Sequence, residues 1–73
     1  MNIRYQRELL QQIAAGLNHC ASQRVAHLVV VFVFQDHEYR FGLVDALDAL
    51  ANDIYWDERG NWSEARVARV ESI

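Results

Sequence analysis

The sequence predicts a two-layer α+β domain over residues 1–73, in the order α-β-β-α-β. Three strands form an antiparallel sheet, and two helices cover one of its faces. Three observations carry this. Val25–Phe34, VAHLVVVFVF, is an apolar run without a charge. Amphipathic stretches of helical period lie on either side of it. A shorter alternating stretch follows it after a polar break, as the second arm of a hairpin would.

The first element is a helix over residues 3–21. Ile3, Leu9, Leu10, Ile13, Ala14, Leu17 and Ala21 recur near helical spacing, and Arg4, Arg7, Glu8, Gln11, Gln12 and Asn18 fill the opposite face. Asn2 is a suitable N-cap. Gly16 interrupts the pattern at a cost of roughly 1 kcal/mol relative to alanine, a cost that a close approach to the sheet would explain.

The second element is a strand at 25–34, apolar on both parities. Successive side chains of a strand point to opposite faces, so this one must be covered twice. The bulky set Leu28, Val30, Phe32 and Phe34 suits the layer beneath the helices, where volume is needed. Stripes of Leu10, Ile13 and Leu17 and of Leu47, Leu50 and Ile54 are available to cover it. The other set is Val25, His27, Val29, Val31 and Val33. The chain has only 73 residues, and no remaining segment is long enough to cover that face. A second copy is the simplest cover, and these five residues are the expected homodimer interface.

Gln35–Glu38 is a polar break. Tyr39, Phe41 and Leu43 then alternate with Arg40 and Gly42 as a short antiparallel strand. Asp45-Ala-Leu-Asp48 reads as a helix start with an acid at the cap and another in the first turn, both favourable to the helix dipole. Leu47, Leu50, Ala51, Ile54 and Tyr55 continue as an apolar stripe. Asp57–Asn61 ends it, with Gly60 free to adopt positive φ. In the tail, WSEARVARVESI, the spacing of Val67 and Val70 is helical and Ser63 is a possible cap. The β-branched residues and the preceding Gly-Asn turn favour a strand instead.

Composition narrows the function classes. A domain of 8.5 kDa sits near the small end of what folds alone and gains from oligomerisation. One cysteine excludes an internal disulfide and suits a reducing cytoplasm. MNIRYQRELLQQ has no signal-peptide character, and an apolar run of about ten residues is half of what a spanning helix needs. A cytoplasmic protein without membrane contact is expected. Residues 1–34 hold three arginines against one acid, whereas residues 35–60 hold seven acids against two arginines. That division argues against direct nucleic-acid binding, which needs a continuous positive surface.

Each candidate site has an ordinary alternative. His19, Cys20, His27 and His37, with Asp36 and Glu38, resemble metal ligands, but their spacing does not converge three or four groups as zinc requires. No metal and no cofactor is expected. Asp36-His37-Glu38 resembles an acid–base cluster, yet no nucleophile stands in a recognisable context and no glycine-rich phosphate loop exists. It reads as a polar hairpin turn, and no catalytic residue is assigned. Tyr55 and Trp56 among the acids Asp45, Asp48, Asp53, Asp57 and Glu58 form a candidate contact patch for a protein with a basic surface, through ion pairs and cation–π stacking. Trp56 and Trp62 also suit closing the bottom of the core, the favoured reading for at least one of them, and the acids suit an ordinary solvated helix face.

The expected function is a small non-enzymatic protein-interaction module acting as a homodimer. The alternative is an acidic inhibitor that imitates nucleic acid on a nucleic-acid-processing enzyme. A ligand-binding or enzymatic dimer would instead need a pocket lined by His27, His37, Tyr39 or Arg40.

Overall fold

The computed structural model describes residues 3–20, 24–51 and 65–73. Helix α1 (Ile3–Leu17) leads through a short 3-10 turn (Val25–His27) into β1 (Leu28–Phe34). β2 (His37–Gly42), α2 (Leu43–Ala51) and β3 (Arg66–Ser72) follow. β1 is central in the sheet order β2-β1-β3, and both pairings are antiparallel. The α+β class and the element order are those the sequence predicts. No helix among the described residues is long and apolar enough to cross a membrane.

The core is one cluster between sheet and helices. Leu28, Val30, Phe32 and Phe34 meet Leu9 and Ile13 of α1 and Leu43, Ala46, Ala49 and Leu50 of α2. This is the bulky parity of β1, as expected. Phe41 adds an edge-to-face contact with Phe32, ring centres 5.7 Å apart, a geometry suited to the ring quadrupoles.

The buried lines of both helices are displaced from the expected ones. On α1, Leu9 and Ile13 are buried while Leu10 is 40 % exposed, and the helix stops at Leu17 rather than Ala21. The contact line is set by Gly16: a Cβ there would stand 2.6 Å from Val70 Cγ2, so only glycine lets α1 lie this close to β3. Its expected approach to the sheet is real. Gln6 Nε2 donates to the Leu50 carbonyl at 2.6 Å, and Gln12 Oε1 accepts from the Val67 N–H at 2.6 Å. Gln12 is therefore a link to the sheet rather than part of a free polar face.

α2 begins at Leu43, directly after β2. Asp45 consequently lies inside the first turn, not at the cap. The buried line becomes Leu43, Ala46, Ala49 and Leu50, and Leu47 is 40 % exposed. Two alanines on the inner face let the helix sit low on the sheet. Ile54, Tyr55, the helix end at Asp57–Asn61 and Trp62 lie outside the described residues.

The hairpin turns on Gln35 and Asp36, with φ of 51° and 65°. Positive φ at both central residues is the turn that matches the right-handed twist of two strands. His37 therefore opens β2, opposite Phe34, instead of lying in the turn.

The tail is a strand, and its helix-like spacing has a specific cause. Val31 pairs with Arg69 but Phe32 with Val67, a register shift that leaves Ala68 as an extra residue. Such a β-bulge puts two residues three apart on one face. Val67 and Val70 both pack toward the helices because of it.

Candidate functional site

The face of the sheet opposite the helices is the most distinctive surface of the described residues. The register sets out three levels across it. Val33 lies between Glu38 and Arg66, Val31 between Arg40 and Arg69, and Val29 between Gly42 and Glu71.

Val31 is fully buried, 0 % exposed, although among the described residues neither helix packs on this side. Charged side chains bridge the sheet on either side of it. Arg69 of β3 donates to Glu38 of β2 through both terminal nitrogens, at 2.9 and 3.2 Å. Arg40 of β2 donates to Glu71 of β3, and Arg69 lies 3.7 Å from Glu71. β2 and β3 stand on opposite sides of β1, nearly 10 Å apart at normal strand spacing. These pairs therefore reach across the central strand on the face that carries Val31. Val29 and Val33, at the two ends of the stripe, are half-buried.

The pairing sets the ionisation of its members. The hydrogen bond from Arg69 holds the Glu38 carboxyl below its ordinary value, against a smaller opposing effect of desolvation and with help from the charges of Arg69 and Arg40. The same bond raises Arg69. All four side chains remain between 33 % and 55 % exposed, so the lattice is screened by salt.

The residues expected at a homodimer interface divide into two groups. Val29, Val31 and Val33 share this face. Val25 and His27 do not belong to it: both sit in the 3-10 turn before β1 and are exposed. The turn forms because His27 N–H bonds back to Arg24 O at 2.9 Å, which removes the two residues from strand alternation. His27 O instead accepts from the Ile73 N–H at 2.7 Å. Val25 lines a shallow cleft with Ala26, Leu28, Gly42, Leu43, Val44 and Asp45.

Asp45 and Asp48 are exposed on α2, in the layer away from the valine face. Asp53, Tyr55, Trp56, Asp57 and Glu58 lie outside the described residues, so the expected acidic contact patch is not assembled here. His27, His37, Tyr39 and Arg40 form no common pocket. His37 lies at the turn end of β2, Arg40 on the valine face and Tyr39 toward the helices. Asp36, His37 and Glu38 are likewise separated: Asp36 is in the turn, and Glu38 is held by Arg69 on the face away from the core. Among the described residues no three of the His, Cys, Asp and Glu side chains converge as metal ligands would. The Cys20 thiol lies 3.4 Å from the Val70 carbonyl and 3.6 Å from that of Gly16, tying the end of α1 to β3.

Sequence reasoning missed the Arg–Glu lattice. Its signal is the pair of alternating dipeptide patterns, Glu38-x-Arg40 and Arg69-x-Glu71. Run antiparallel on either side of a valine strand, they place each acid diagonally opposite a base. No protein-family model, curated protein or solved structure matches the chain.

Proposed function

We propose that the chain is a non-enzymatic protein-interaction module that works as a homodimer, joined through the valine face of its sheet. One observation carries the reading. That face has an apolar stripe, Val29, Val31 and Val33, with charged walls of both signs and, among the described residues, no helix packed over it. A patch of this kind complements a copy of itself, since every two-fold interface brings the same surface together. Two arginines of that face, Arg40 and Arg69, are tied to carboxylates, which favours binding over chemistry.

Size sets the strength. Strands of six and seven residues at 3.3 Å per residue and 4.8 Å spacing give a face of roughly 300 Å² in projection. That is well under the ~800 Å² per partner of a standard stable interface. The homodimer is therefore of moderate affinity and exchanges with monomer as concentration changes.

A basic protein partner has a separate surface available. Asp45 and Asp48 flank Val44 and Leu47, which are 57 % and 40 % exposed on the outside of α2.

Light scattering or sedimentation equilibrium from micromolar to millimolar protein tests the assembly. A mass that rises to twice the monomer is expected, and Val33→Lys should shift that rise to higher concentration while circular dichroism stays native. A wild-type mass that remains monomeric at millimolar concentration overturns the reading.

A further inference from the structure

We propose that two copies also join edge to edge, β2 against β2, antiparallel about a two-fold axis at Tyr39, so that their three-stranded sheets run on as one. This goes beyond the valine-face contact above: it uses a different surface and is tested apart from it.

Backbone geometry opens this edge. Among the described residues β2 pairs with β1 alone, in a register unbroken from His37 to Gly42. The two-residue turn at Gln35 and Asp36 makes Phe34 and His37 a hydrogen-bonded pair. Bonded and non-bonded pairs then alternate along the ladder, so Tyr39 and Phe41 bond inward to β1. Glu38, Arg40 and Gly42 turn their N–H and C=O outward, and no further backbone bond among the described residues reaches them. The opposite edge is guarded. There Gln12 takes the N–H of Val67, the register shift at Ala68 breaks the ladder, and Gly16 brings α1 against Val70.

Charge then selects the register. Facing residues of an antiparallel pair share one side of the sheet, so the axis falls on a residue of β2. Like charges directly opposite are unfavourable. An axis at Glu38 sets Glu38 against itself, and one at Arg40 sets Arg40 against itself. Axes nearer the strand ends leave fewer residues overlapping. An axis at Tyr39 sets Glu38 of each copy opposite Arg40 of the other. Those are the residues whose backbone groups point outward, so each such pair exchanges both N–H···O bonds. Open backbone groups supply the attraction. Glu38 keeps its bonds from Arg69, because a carboxylate accepts from more than one donor. Charged side chains ordinarily guard an edge; two of opposite sign, spaced two apart, instead match an antiparallel copy.

The test is sedimentation equilibrium, with amide exchange followed by NMR, on wild type and on Val33→Lys, which alters the valine face and leaves the edge backbone intact. Both should associate at millimolar concentration. In both, the Glu38 and Arg40 amides should exchange about tenfold more slowly in concentrated than in dilute protein, while Gly42 is unchanged. Arg40→Pro removes an outward N–H without touching the ladder to β1. It should raise the dissociation constant about tenfold or more, against roughly a few fold for Arg40→Gln, which keeps the N–H. Circular dichroism checks folding, and if Arg40→Pro unfolds, the amide rates decide alone. Association with Glu38 and Arg40 amides as fast as in the monomer overturns the edge contact and leaves the valine face standing. Protection that reaches Gly42 overturns the axis at Tyr39. A Val33→Lys that associates as well as wild type, with Glu38 and Arg40 protected, overturns the valine face and keeps the edge. A monomeric wild type overturns both.

Discussion

The two faces of β1 solve the same problem by different means. On the helix side, Phe32 and its neighbours are covered by side chains from two helices, and the fit extends to Gly16, where a single methyl group has no room. On the other side, Val31 is buried just as completely, yet its neighbours in the register are Arg40 and Arg69, whose side chains stay 55 % and 44 % exposed. One cover is close-packed and sensitive to volume. The other is a lattice of flexible chains that yields to substitution, salt and acid. Burial alone therefore does not distinguish core from surface; what does the covering decides how the position responds.

The sharpest way to break this comparison is a charge placed on each face. Phe32→Lys buries an unpaired ammonium among apolar groups and should abolish the cooperative melt. Val33→Lys, half-buried beside Glu38, should cost about 1 kcal/mol or less and keep its native circular dichroism. Equal damage from both would show that the valine face is packed as rigidly as the core.

Gly16→Ala comes next. Alanine gains up to about 1 kcal/mol of helix propensity, but its methyl enters the Val70 side chain. Overpacking costs of typically 1–3 kcal/mol should leave a net loss in denaturant titration. Pairing it with Val70→Ala should recover most of that loss, and failure to recover would place the strain elsewhere.

The hairpin offers a gain. Gln35 and Asp36 hold left-handed backbone, which costs an L-residue such as Gln35 roughly 1–2 kcal/mol and Asp36, with its short polar side chain, less. Gln35→Asn with Asp36→Gly supplies the residues this turn prefers and should raise the melting temperature. A fall would mean that the two side chains make contacts worth more than the backbone relief.

The smallest effect is expected from acid. Glu38 has its carboxyl depressed in the folded state. The stability it contributes is therefore present above the ordinary glutamate value of about 4.3 and is lost as pH falls through its lower folded value. Comparing melting temperatures of wild type and Glu38→Gln from pH 7 down to pH 3 should show an advantage for wild type at pH 7 that shrinks as the pH falls. An advantage that does not shrink would remove Arg69 as its source.

Much of the architecture was legible because alternation and helical period are imposed by the core. The split of β1 into a bulky and a valine parity followed from side-chain volume, and Gly16 was conspicuous as an exception inside a helical pattern. The exact lines of burial were not legible. Leu9 against Leu10, and Ala46 against Leu47, depend on a helix rotation set by Gly16 and by the abrupt handover from Gly42 to Leu43. Val25 and His27 read as strand because nothing local distinguishes them from the valines that follow. The Arg–Glu lattice was invisible for a different reason: its members come from strands 31 residues apart in sequence and meet only once the register is known.

The extra residue in β3 has one more implication. Removing Ala68 would leave Arg66, Val67, Arg69 and Val70 in regular alternation, with every side chain still on its present face. Alternation does not require this residue. What it does is interrupt the outermost strand, where Gln12 takes the N–H of Val67. A continuous outer ladder is a template on which further strands add without end. Deletion of Ala68 should give a folded protein that polymerises on standing, detectable by thioflavin fluorescence. The bulge thus sets where growth on the β3 edge stops.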